Sequence, residues 1–158
     1  MRRDDERWMR AALDEARLCV RGGEPHLDDV PIGAVIVRDG VIIARGHNEV
    51  ILHHDATLHA ELVAVRSAIQ QLATPRLEGA TLYVTLEPCP MCAGAFWLAR
   101  LGRVVFGAFD LKAGACGSLF DIPRDVRLNH RLEVRGGVLE EECKTLLTDF
   151  FATRRENS

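Results

Sequence analysis

The chain has 158 residues, 47% of them hydrophobic and 27% charged, enough for one ordinary globular domain with a real core. A net charge of −3 and a pI near 6.1 exclude broad electrostatic capture of nucleic acid, so any such contact must be local. No apolar run approaches the ~18 residues of a membrane span, Arg2-Arg3-Asp4-Asp5-Glu6 lacks a signal-peptide core, and five cysteines, an odd count, argue against a disulfide framework. The expectation is a cytoplasmic chain with no membrane partner.

Trp8, Met9, Ala12, Leu13, Ala16, Cys19 and Val20 recur at helical spacing and predict an amphipathic helix over residues 5–20. Asp4 or Asp5 would cap it and Gly22-Gly23 would stop it. After a polar loop over 22–29, Ile32 to Val37, the pair Asp39-Gly40 and Val41 to Ala44 read as a β-hairpin. Weak periodicity from Gly46 to Thr57 predicts a loop, and a helix follows from His59 to the Thr74-Pro75 break. Thr81 to Leu86 reads as a buried strand, and the helix after it reaches about Ala99. Val104 to Phe106 is a further strand, Gly107 to Gly117 a Gly-rich loop, and Leu132 to Val134 a last strand. Leu139 to Thr153 closes the chain as a helix. Strands alternating with helices predict an α/β fold, a three-layer α/β/α sandwich with a mixed central sheet.

Two short pieces carry the chemistry: His59-Ala60-Glu61 and Pro88-Cys89-Pro90-Met91-Cys92. Each falls where a strand or loop gives way to a helix, the usual place for ligands in such folds. Their side chains offer one imidazole, two thiols and a carboxylate. A structural zinc site closes with four protein ligands, whereas a catalytic one keeps three and an open position. His59, Cys89 and Cys92 are the three, one Zn(2+) per chain, and Glu61 is left over to move protons. Cys89 and Cys92 are spaced to share one side of a first helical turn, where the helix dipole favours thiolate. Residues two apart do not face one way on a regular helix, so His59 must lie at the very start of its helix, with Thr57 as a candidate cap. The competing reading is a closed structural clip, with His54 or Cys116 as the fourth ligand. Cys19 and Cys143 fall at apolar helical positions as core thiols. Cys116, in the Gly-rich loop, is open to exposure.

His-x-Glu followed by Pro-Cys-x-x-Cys is the signature of the zinc deaminases, and nearly the whole chain resembles the cytidine deaminase superfamily. Val30 to Val35, Gly46-His47-Asn48, Leu82 to Cys89, Arg103 to Ala108, Gly117-Ser118-Leu119, Asn129-His130-Arg131 and Phe150-Phe151 are similar, within it, to the bacterial tRNA-specific adenosine deaminases. The resemblance implies a cytidine deaminase-like fold and a homodimer. It also implies hydrolytic conversion of adenosine to inosine at the wobble position of a tRNA anticodon stem-loop. Zinc would sit on His59, Cys89 and Cys92, with Glu61 as proton shuttle and Asn48 on the substrate nucleotide. Asp110 is a candidate acceptor for a ribose 2′-hydroxyl and Phe109 a candidate base-stacking surface; Phe150 and Arg154 are candidates for contacts with the RNA. The chain departs from the family at Val50 and Ala56, where proline is common, at Leu58 and at Phe109, where arginine often stands. Residues 22–28 also form a longer loop than usual. Alternatives are a deaminase of a free base or nucleoside, of guanine or cytosine type, and a non-catalytic zinc-binding subunit. Three large apolar residues in a row, Phe96, Trp97 and Leu98, cannot all face one sheet and favour the homodimer.

Overall fold

Strands that are apolar at successive positions need a covering layer on both faces. The structure, a computed structural model, describes residues 2–156. Its five strands are β1 Gly33–Arg38, β2 Val41–His47, β3 Thr81–Leu86, β4 Arg103–Ala108 and β5 Glu133–Arg135, in the spatial order β2-β1-β3-β4-β5. β1 runs antiparallel to β2 and β3, and β4 runs parallel to β3 and β5, so the sheet is mixed as expected. Along the strands, side chains alternate between two cores. Ala34, Ile36, Leu82, Val84, Val104 and Phe106 face one; Val35, Val37, Tyr83 and Val105 face the other. Helices α3 (Ala60–Leu72) and α4 (Pro90–Leu98) close the first core, and α1 (Arg2–Arg17) and α5 (Glu140–Glu156) the second. The three-layer sandwich is therefore present. Among the described residues no helix is long and apolar enough to cross a membrane.

Asp39 and Gly40 both take positive φ, 53° and 73°, the pair a two-residue hairpin turn requires. The hairpin runs further than predicted. Gly46 and His47 belong to β2, paired with Ala34 and Gly33, and do not begin a loop. Gly46 is the reason: a Cβ there would lie 2.4 Å from the Ala60 carbonyl, so its absence lets α3 press onto the strand. The expected loop also contains a short helix, α2 (Val50–His53), whose Ile51 and Leu52 N–H groups are accepted by the buried Asp29 carboxylate at 2.7 and 3.3 Å.

α1 stops at Arg17, short of the predicted residue 20. The chain turns there to bury Cys19, whose carbonyl accepts the Asp29 N–H at 3.1 Å. Asp5 is not a cap either. It lies inside α1 and is 2% exposed; it accepts the Tyr83 hydroxyl at 2.8 Å, both Arg103 Nη atoms at 2.8 Å and Arg135 at 2.6 Å. One carboxylate thus bolts α1 to β3, β4 and β5. Burial alone would raise its pKa, but the hydrogen bonds from Arg103, Tyr83 and Arg135 prevail and hold it down at about 2. An unfolded aspartate titrates near ~3.9, so the stabilisation is complete above about pH 5 and drains away as pH falls toward 2. Asp5→Ala should cost about 3 kcal/mol of unfolding free energy at neutral pH. In urea titrations its deficit against the parent should shrink steadily between about pH 5 and pH 2; a deficit that stays constant would refute this assignment.

Candidate active site

Because β3 and β4 are parallel and β1 runs against them, the end of β2, the start of β1 and the ends of β3 and β4 gather at one edge of the sheet. Asn48, Pro88-Cys89 and Asp110 leave the sheet at that edge, and the helices α3 and α4 start there. His59 sits immediately before α3 at φ −69°, ψ 150°, and Cys89 immediately before α4 at φ −77°, ψ 172°. Both are extended N-cap residues, so their side chains are released from the helical spacing. This resolves the conflict between His59 and Glu61, two positions apart. Pro90 follows Cys89 at the first helical position, where its missing N–H costs nothing.

Thr57 does not cap α3. Its N–H and hydroxyl both bond the Asp55 carboxylate, at 2.9 and 2.7 Å. The cap comes from the end of β2: Asn48 Oδ1 accepts the Ala60 N–H at 2.9 Å, and the Glu49 N–H donates to the Leu58 carbonyl at 3.0 Å. Asn48 is itself gripped from behind, its carbonyl accepting from Arg21 at 3.3 Å while Arg21 pairs with Asp29 at 3.0 Å. His59 is thereby fixed from both sides.

His59 Nδ1 lies 3.6 Å from Cys89 Sγ and 3.6 Å from Cys92 Sγ, and the three donor atoms are within 4.8 Å of one another. Zinc bonds of ~2.3 Å to sulfur and ~2.0 Å to nitrogen at tetrahedral angles place nitrogen and sulfur about 3.5 Å apart. The set fits zinc as it stands. Neither His54 nor Cys116 joins it among the described residues, so the four-ligand clip does not form there. Cys116 is buried, not exposed, and burial pushes its thiol up. Cys19 and Cys143 are buried core thiols, as expected, pushed up by burial to about 11 and about 12. Between the two site cysteines, Cys92 acts as the donor: its bond to Cys89 holds the Cys89 thiol down at about 4 and, with burial, pushes Cys92 up. The bond to Cys89 also raises His59.

Glu61 stands outside the donor set, 4% exposed, with its carboxyl against its own N–H and the Cys92 thiol. Burial pushes it up to about 7. The remaining candidates sit further out. Asp110 Oδ1 accepts the Lys112 and Ala113 N–H groups at 3.0 and 3.1 Å. Phe109 packs edge-on to Phe106 with ring centroids 5.1 Å apart, and lines a cleft of about 470 Å³ with Leu111, Lys144 and Phe151. Phe150 and Arg154 line a separate cleft of about 440 Å³ against residues 20–31, which contains none of the three zinc donors. There Arg154 lies 4.4 Å over the Phe150 ring, pairs with Asp28 at 3.2 Å and donates to the Pro25 carbonyl. Glu87 has a role that the residue-by-residue reading passed over. It is buried two positions before Cys89, yet a glutamate at the end of an apolar strand has the same pattern as a surface charge.

Residues 2–108 match the family model of the cytidine and deoxycytidylate deaminase zinc-binding region. The chain belongs to this zinc-dependent deaminase family. It is 51% identical to a tRNA-specific adenosine deaminase of Bacillus subtilis over 96% of this chain and 91% of that protein. A solved structure from work on A-to-I editing by tRNA:A34 deaminases at the wobble position superposes with a TM-score of 0.82 and 42% identity, covering 89% of this chain and 99% of that one. A Bacillus subtilis guanine deaminase superposes with a TM-score of 0.60 and 41% identity over 66% of this chain and 64% of that one. As in any catalytic zinc site of a deaminase, ligand and proton carrier should separate by mutation. Removing a donor as in His59→Ala or Cys89→Ala should release the metal, whereas Glu61→Ala should retain about one zinc per chain by elemental analysis. Zinc loss in Glu61→Ala would overturn the division.

Proposed function

We propose that this chain is a zinc-dependent hydrolase converting adenosine to inosine at the wobble position of a tRNA anticodon loop. The observation that carries the reading is a three-ligand site with a buried carboxyl beside it that lies outside the donor set and forms no ion pair among the described residues. The relatives' shared description as tRNA-specific adenosine deaminases supports the tRNA substrate. Bound by His59, Cys89 and Cys92, zinc supplies Lewis acidity sufficient to bring the pKa of water to about 7. Glu61 takes one proton from the attacking water and gives it to the purine ring nitrogen. It then takes the second from the new hydroxyl and gives it to the amino group, which leaves as ammonia as the C–N bond breaks and the carbonyl forms. A carboxyl raised by burial to about 7 suits a group that must both accept and release protons near neutrality. Asn48 has committed its Oδ1 to Ala60, so its amide N–H bonds are the end that meets an acceptor on the nucleotide.

Anticodon loops already present unstacked bases, so extruding one into the site costs little. Asp110 Oδ1 is occupied by its own turn, and Oδ2 is the atom to accept a ribose 2′-hydroxyl, which DNA lacks. Phe109, 48% exposed, offers a face to a neighbouring base, worth about 1–3 kcal/mol. Arg154, clamped over Phe150, holds residues 25–28 against the end of α5 and shapes the rim that meets the stem. The protein works as a homodimer in the cytoplasm. α4 buries Phe96 fully but leaves Leu98 68% exposed, with Leu119 and Phe120 also exposed, and a second copy is the natural cover.

An RNA anticodon stem-loop should be deaminated at least about 100-fold faster than its DNA copy or free adenosine, as read by inosine formation. Asp110→Asn keeps an oxygen for the turn and changes only the outward atom, so it should narrow the RNA-over-DNA ratio while zinc stays in place. Equal rates on all three substrates, or turnover of guanine alone, would reject the assignment. Sedimentation should give twice the 17.6 kDa chain mass at micromolar concentration; a monomer there would contradict the dimer.

A further inference from the structure

Glu87 is 2% exposed and forms no ion pair among the described residues. Its carboxylate is held by four hydrogen bonds instead. Oε1 accepts from the Asp110 N–H at 3.1 Å and the Ser118 hydroxyl, and Oε2 from the Cys116 N–H at 3.1 Å and the Ser118 N–H at 3.0 Å. All four donors belong to one loop, residues 110–118. Burying a carboxylate away from cations is costly unless its lone pairs are filled, and here the loop fills them. The next residue, Pro88, continues the latch: its carbonyl accepts the Ala115 N–H at 2.8 Å, one position before Cys89.

The loop so held has two faces. Ala115 and Cys116 are buried in the core cluster that contains Cys92 and against which Cys89 packs. Asp110 faces outward at the other end of the loop. The packing leaves no slack, because a Cβ on Gly114 would fall 2.4 Å from both the Glu87 carboxyl and the Asp110 carbonyl. Each Glu87 oxygen accepts at least one backbone N–H. A glutamine at this position would therefore turn its NH₂ toward an N–H in either orientation, and shorter side chains would not reach.

We infer that Glu87 is a positioning residue for substrate: it fixes the 110–118 loop between the core beside Cys92 and Asp110, and acts on the nucleotide through Asp110. It touches neither the metal nor the nucleotide. The inference rests on the deaminase reading above. Cys89 keeps its own anchor at the start of α4, through the Ala93 N–H at 2.9 Å, so the metal should survive the loss of the latch.

The test compares Glu87→Gln and Ser118→Ala with the parent, using an anticodon stem-loop RNA. Glu87→Gln leaves a buried N–H unmatched, so KM should rise about tenfold or more. Its kcat should stay within about threefold, and zinc should remain at about one per chain. Amide hydrogen exchange should quicken across 110–118 and not in α3 or α4. Ser118→Ala removes the hydroxyl bond alone and should raise KM by about threefold with kcat and zinc unchanged. Loss of zinc, a fall in kcat at constant KM, or unaltered KM in both variants would overturn the inference. If Glu87→Gln fails to fold, an unchanged KM in Ser118→Ala overturns it alone. A parent protein inactive on the RNA would defeat the substrate reading instead, and loop exchange would then decide Glu87: unaltered protection in both variants overturns it.

Discussion

The starts of α3 and α4 meet at the carboxyl end of β3, and the chemistry depends on that junction. A helix start leaves backbone N–H groups unpaired and carries partial positive charge, so it stabilises thiolate and carboxylate. An N-cap residue is extended, which frees its side chain to reach across to a neighbouring helix. His59 and Cys89 both occupy that position, with Glu61 and Cys92 in the first turns behind them. Two copies of one local geometry, brought face to face, yield three ligands and a spare carboxyl. The sheet order does the rest, because only a mixed sheet delivers the end of antiparallel β2 to the same edge as the ends of parallel β3 and β4.

Four buried acids show how environment sorts structure from chemistry. Asp5 is matched by two arginines and a tyrosine hydroxyl, and Asp29 by Arg21 and the start of α2. Glu87 is matched by the loop it holds. Glu61 has only its own N–H and a thiol, and burial pushes its pKa up, whereas the partners of Asp5 hold that carboxyl down. A buried acid with a full set of partners gains nothing by exchanging a proton. One short of partners lies between two protonation states, which is the requirement for a proton carrier.

This contrast also marks what could be read from the residues. The apolar runs of β1, β3 and β4, the Asp39-Gly40 turn and the zinc spacing are local patterns, and each appears where the sequence places it. The ligand set was legible because three residue types with fixed chemistry fall at two helix starts. Asn48 as the cap of α3, Asp5 as a bolt across the sheet and Glu87 as a latch were not legible. Each joins segments far apart in the chain, and a buried acid has the same letter as an exposed one. Thr57 looked like the cap because it is near in sequence; Asn48 is the cap because β2 ends beside α3.

The positions where this chain departs from its family follow the same division. At Val50 and Ala56 the resemblance leads to an expectation of proline, and neither N–H donates a hydrogen bond among the described residues. Val50 is also the first residue of α2, where proline and other residues are interchangeable. Leu58 contributes to the site through its backbone, its carbonyl accepting from Glu49 and its N–H donating to Asp55. The side chains there are free to vary while His59 stays in place. Phe109 is different, since its side chain is half exposed and lines the cleft against α5, which contains none of the three zinc donors. The backbone around His59 is thus held by main-chain hydrogen bonds that do not depend on which side chains stand at 50, 56 and 58, whereas a change at 109 alters an exposed surface.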